Sequence, residues 1–90
     1  MIFQAITTRY IGPTNHRGSR IKATATAGSV TIEYDPALNI ETNHDEAAKT
    51  LADKFKWRGW WYGGGMPDGR GNVYVCCEIG EAPAFATKGE

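Results

Sequence analysis

The chain has 90 residues, 41% hydrophobic and 22% charged, with 10 Lys and Arg balancing 10 Asp and Glu. That length excludes a second core, and the gain of roughly 1.5–3 kcal/mol per large buried side chain is nearly cancelled by chain entropy, which makes self-association a natural supplement. No run of about eighteen apolar residues exists, and Met1-Ile2-Phe3-Gln4-Ala5 lacks the basic start and long apolar run of a secretory signal; a cytoplasmic protein with no membrane span is expected.

Ile2 to Tyr10 alternates Ile2, Gln4, Ile6, Thr8 and Tyr10 against Phe3, Ala5, Thr7 and Arg9, the period of a strand. Gly12 to Ser19 collects turn-favouring residues and predicts a loop. Arg20 to Ala27 alternates again, placing Ile21, Ala23, Ala25 and Ala27 on one face and Arg20, Lys22, Thr24 and Thr26 on the other. Gly28-Ser29 suits a tight turn into a third strand through Val30, Ile32 and Tyr34, which Asp35-Pro36 stops.

Thr42 or Asn43 is expected to cap a helix in which Ala47, Ala48, Leu51, Ala52 and Phe55 recur at helical spacing. Asp45 and Glu46 sit near its positive end, Asp45 stands four residues before Lys49, and Gly59 is the expected stop. Trp60-Trp61-Tyr62 is a short β-prone run. A glycine-rich loop from Gly63 to Asn72 follows, and Val73 to Ile79 forms the last strand, with Val73, Val75, Cys77 and Ile79 opposite Tyr74, Cys76 and Glu78. The order β-β-β-α-β-β predicts one α+β domain over residues 1–79, an antiparallel sheet of four to five strands with one helix packed on one face, and a polar tail over 80–90.

The chemistry of catalysis is poorly represented. Cys76 and Cys77 are adjacent, so they can neither bridge each other in a strand nor aim two thiolates at one zinc, and Cys77 reads as a buried strand residue. No Ser or Cys stands in a nucleophile motif, and the histidines have no partners at ligand spacing. The glycine loop leads into a strand, whereas a phosphate cradle leads into a helix N-terminus. A non-enzymatic binding domain without metal or cofactor is the expectation.

Its contact surface is expected from three features. Residues 1 to 32 hold Arg9, Arg17, Arg20 and Lys22 and no acid, so the outward face of the second strand is basic; a normally solvated strand pair would show the same clustering. The loop through Asn15, His16, Arg17 and Arg20 joins planar guanidiniums to amide and hydroxyl groups suited to phosphate or carboxylate. Trp60 and Trp61 point to opposite faces, so an aromatic is left outside the core near Arg70, as in a stacking surface or a protein hot spot; covering a sheet edge is the alternative.

The runs Gly12-Pro13-Thr14-Asn15-His16-Arg17-Gly18-Ser19-Arg20-Ile21-Lys22-Ala23 and Gly63-Gly64-Gly65-Met66-Pro67-Asp68-Gly69 resemble small uncharacterised proteins carried by bacteriophages and other bacterial mobile elements. The similarity takes in the Ala-rich helix and most of residues 1–79. What it implies is setting: a bacterial host cell, and a chain that binds and blocks a host or defence component such as a restriction or CRISPR complex. Direct binding of RNA or single-stranded DNA by the same surface is the alternative, and a homodimer is compatible with both.

Overall fold

The computed structural model describes residues 4–77 and 83–87, apart from the side chain of Cys77. Six strands, β1 (Ile6–Ile11), β2 (Arg20–Ala25), β3 (Gly28–Glu33), β4 (Gly59–Gly65), β5 (Gly71–Cys77) and β6 (Phe85–Thr87), surround one helix, α1 (Ile40–Lys54), in an α+β fold. All pairings are antiparallel, and the strand order is β3-β2-β1-β5-β4-β6. The helix therefore carries the chain from one edge of the sheet to the other half, across the face it covers.

The sheet has one strand more than the four to five expected. The extra strand is Phe85–Thr87, within the stretch read as a tail. Its three residues are too short for periodicity to show, yet Phe85 lies opposite Trp61, and Thr87 accepts the Trp61 indole N–H at 3.0 Å. The β2–β3 turn falls at Thr26 and Ala27, two residues earlier than expected, because Ala25 pairs with Gly28. The glycine-rich segment is a hairpin whose ladder runs to Gly65 and resumes at Gly71, so the loop itself is short.

Helix boundaries also differ from the sequence expectation. Asn39 is the cap, its Oδ1 accepting from Thr42 N at 2.7 Å. Asn43, 1% exposed, serves another purpose: its amide donates to the carbonyls of Asp35, Leu38 and Asn39 and accepts from Asp35 N, tying the connection to the helix. At the other end Lys56 adopts φ 58° and Trp57 N bonds Ala52 O, so the stop is a Schellman turn ahead of Gly59.

Packing follows the two periods. Ile6, Ile21, Ala23, Trp61 and Tyr74 from the sheet meet Ala47, Ala48, Leu51 and Ala52 from the helix, all 0–1% exposed. Alanines on both layers let the helix lie close to β1 and β2. Beyond its C-terminus the volume is filled by a line of rings, Phe55, Trp57, Trp61 and Phe85, with successive centroids 5.2, 6.2 and 5.8 Å apart. No helix among the described residues is long and apolar enough to cross a membrane.

Candidate functional site

The face of the sheet away from α1 is open, and antiparallel register sets its rows. Arg9 stands opposite Lys22, Thr7 opposite Thr24, Lys22 opposite Thr31, and Arg20 opposite Glu33. Arg9, Lys22, Thr24 and Thr31 are exposed. Two cations thus face each other directly across β1 and β2, an arrangement that costs stability where opposite charges would add it. The one ion pair among the described residues engages one of the two, from Arg9 to Asp68 at 3.7 Å, and Lys22 has none. A cleft of about 250 Å³ between Thr7, Arg9, Lys22, Thr24, Met66 and Asp68 leaves both cations reachable.

The remaining residues expected from sequence divide into separate groups. Asn15, His16 and Arg17 are exposed in a loop closed by Thr14, whose Oγ1 accepts from the backbone N of His16 and Arg17. His16 and Arg17 meet Arg20, Glu33 and Tyr34 around a cavity of about 570 Å³ beside β3, where Arg20 Nε is buried with no hydrogen-bond partner. Trp60 is 42% exposed on the open face, near Tyr62 and Val75, at the end of the sheet opposite the Asn15 to Arg20 loop. Trp61 is a correction: it is 0% exposed and stacked between Trp57 and Phe85, so it belongs to the core and to no contact surface. Arg70, at the tip of the β4–β5 hairpin, lines a third cavity of about 550 Å³ with Tyr10, Glu41, His44 and Asn72, toward the helix side.

That helix side holds a polar network missed by sequence reasoning. Thr8 Oγ1 and His44 Nδ1 are 2.6 Å apart, and Thr8 Oγ1 also accepts Asn72 N at 3.3 Å. The Asn72 amide donates to Glu41 and to the Tyr74 hydroxyl, each at 3.1 Å, and Tyr74 donates to Asp45 at 2.6 Å. With Asn72 N–H already on the Thr8 oxygen, the best-satisfied arrangement has the Thr8 hydroxyl donating to Nδ1, so the neutral ring carries its proton on Nε2. Asp45 is turned to Tyr74, and the pairing expected with Lys49 is absent among the described residues.

Burial governs the titration of this cluster. Desolvation lowers the His44 pKa, outweighing the raising influence of Glu41 and Asp45. Desolvation raises Asp45, opposed by the Tyr74 hydroxyl, and holds Tyr74 above the usual phenol range. The cluster can therefore lock the first helical turns to β1 and β5 through directional hydrogen bonds. Thr8 is 3% exposed and held in that lock. One sequence signal was present: Thr8 and Asn72 occupy inward registers in otherwise apolar rows, and His44 falls in the helix's apolar stripe.

Among the described residues no group of His, Cys, Asp or Glu is arranged to hold a metal ion. No family model, curated protein or solved structure matches this chain.

Proposed function

We propose that this chain is a non-enzymatic interaction protein of a phage or mobile element, which binds and blocks a nucleic-acid-handling host defence complex of the restriction or CRISPR type. The carrying observation is the Arg9–Lys22 pair, two exposed like charges placed directly opposite each other on an uncovered sheet face. Alone, the pair costs roughly 0.2–1 kcal/mol; against a phosphate or carboxylate the same two cations become a bidentate seat. Flanking hydroxyls of Thr7, Thr24 and Thr31 supply neutral hydrogen bonds around it. The setting comes from the resemblance of the Gly12–Ala23 and Gly63–Gly69 runs.

Capture from a bacterial host lysate with the wild type and Lys22→Glu tests this. Wild type should retain restriction or CRISPR effector subunits, and Lys22→Glu should lose them while gaining stability from its new neighbour Arg9. A wild-type chain that retains no such subunit, or a variant that retains them equally, sinks the proposal.

A second reading, direct binding of RNA or single-stranded DNA, is favoured by Trp60 lying on the same face as Arg9, Arg20 and Lys22. It requires a labelled oligonucleotide to bind the isolated protein and to weaken steeply with salt, as phosphate contacts release counterions. No association at low salt removes this reading and leaves the first intact.

A further inference from the structure

The two edges of the sheet are unequal. At one end β6 contributes three residues, the short edge that discourages further pairing. At the other end β3 runs for six residues, Gly28-Ser29-Val30-Thr31-Ile32-Glu33, with no Pro and no Lys or Arg in the strand.

Which backbone groups of β3 are free follows from the ladder. Tyr34 N donates to Ser19 O, and the register pairs Arg20 with Glu33, so Ser19 and Tyr34 are a hydrogen-bonded pair. Alternation then turns the N–H and C=O of Gly28, Val30 and Ile32 toward β2, and those of Ser29, Thr31 and Glu33 outward. One of the outward groups already attracts a donor: Lys54 Nζ lies 3.3 Å from Ser29 O. Among the described residues the ladder gives the rest no partner.

We propose that β3 is the interface of a homodimer, in which two copies pair their β3 strands antiparallel about a two-fold axis at Thr31 and join their sheets into one. The strand is self-complementary in that register. Ser29 falls opposite the second copy's Glu33 and Thr31 opposite its counterpart, so every outward N–H and C=O finds a partner in a hydrogen-bonded pair. Val30 falls opposite Ile32; both are half-buried against the core, and the pairing covers what they leave exposed. Tyr34 falls opposite Gly28, which has no side chain to obstruct it.

Two shifted registers are worse. A shift that centres the axis on Glu33 sets two carboxylates face to face, and a shift toward Ser29 runs Glu33 past the Thr26-Ala27 turn. Such an axis leaves both helices on the same side of the joined sheet, and both open faces, with Arg9, Arg20 and Lys22, on the other.

Sedimentation over roughly 1 μM to 1 mM tests the proposal, with Thr31→Pro as the blocking variant. The Thr31 N–H points outward, so proline removes no bond to β2 and is tolerated on an edge strand. By symmetry it deletes two donors of the dimer at once, and the dissociation constant should rise at least about tenfold. Thr31→Cys supplies an independent readout. Opposed residues of a hydrogen-bonded pair have Cα atoms about 5.5 Å apart, within disulfide reach. Mild oxidation should therefore link Thr31→Cys chains into dimers well above the wild-type background set by Cys76 and Cys77, whereas Thr24→Cys, equally exposed on the same face, should not link.

A wild-type monomer at every concentration overturns the proposal, as does a folded Thr31→Pro variant that dimerises normally. Equal crosslinking of the two cysteine variants does the same. If Thr31→Pro fails to fold, the comparison of Thr31→Cys with Thr24→Cys decides alone.

Discussion

Three consecutive glycines, Gly63, Gly64 and Gly65, end β4, and alanine should act on them with opposite sign. A Cβ at Gly63 would lie 2.6 and 2.8 Å from Cε1 and Cδ1 of Tyr74 and 3.3 Å from its Cζ, against an ordinary carbon separation of about 3.5–4.0 Å. The ring cannot slide away cheaply. It is 1% exposed, its hydroxyl is committed to Asp45 and Asn72, and its centroid lies 5.7 Å from that of Phe85. Overpacking of this kind costs about 1–3 kcal/mol, while replacing a strand glycine returns roughly 0.5–1 kcal/mol of chain entropy.

The net expectation for Gly63→Ala is a loss of about 1–2 kcal/mol, or about 4–8 °C in Tm for each kcal/mol. Gly64 and Gly65 have nothing within 4 Å of the added atom and ordinary φ, so their alanine variants should gain roughly 0.5–1 kcal/mol. Thermal melts by circular dichroism, with urea titrations for the free energies, compare the three. In a Tyr74→Leu background the Gly63→Ala penalty should largely vanish, because the clashing ring is gone. A Gly63→Ala variant melting at or above Gly64→Ala would refute the packing argument.

Two further perturbations address the helix. Asn39→Ala removes the cap on Thr42 N and should cost about 0.5–2 kcal/mol in urea titrations, whereas Thr42→Ala should stay within about 0.5 kcal/mol. His44, whose folded pKa is depressed below 6.5, contributes stability above that pH, and the contribution is lost as pH falls through the window beneath 6.5, because the unfolded chain binds the proton first. Asp45 is raised above 3.8 and has the opposite sign: its contribution is present below 3.8 and lost as pH rises through its folded value. Stability measured against pH should therefore decline on acidification below about 6.5, and His44→Gln should flatten that limb.

Where side-chain period carried the information, the sequence was readable. Alternation placed Ile21, Ala23, Val30 and Ile32 inward and Arg20, Lys22 and Thr24 outward, and separated Trp61 from Trp60 and Tyr62, as the registers have them. What periodicity cannot report is pairing between distant strands. β1 lies between β2 and β5, so Thr8 meets Asn72 and His44 only after the sheet has closed; local pattern marks each as an inward polar residue without showing that the three meet. The same holds for β6, whose assignment depends on Trp61 presenting an edge to pair with. The cap was misplaced for a local reason: Asn39 and Asn43 both suit an N-terminus, and the choice is settled by Asn43 being buried against Asp35 and Leu38.

A chain of zero net charge can still present a strongly signed surface, and the fold supplies the means. Arg9, Arg20 and Lys22 lie on β1 and β2 with their side chains directed away from the helix, while α1 carries Glu41, Asp45, Glu46 and Asp53 against Lys49 and Lys54. The sheet thus stands between those cations and the acids of the helix. Among the described residues Glu33 stands opposite Arg20 and Asp68 lies 3.7 Å from Arg9 on the cationic side, and neither lies opposite Lys22. Screening over about 8 Å at physiological ionic strength confines the field of the helix acids to their own side. An approaching anion therefore meets Arg9 and Lys22 before it meets the molecule's neutrality. Pairing through β3 would set two such faces in one plane, so the density of positive charge offered to a polyanionic partner would depend on whether the chain arrives as one copy or two.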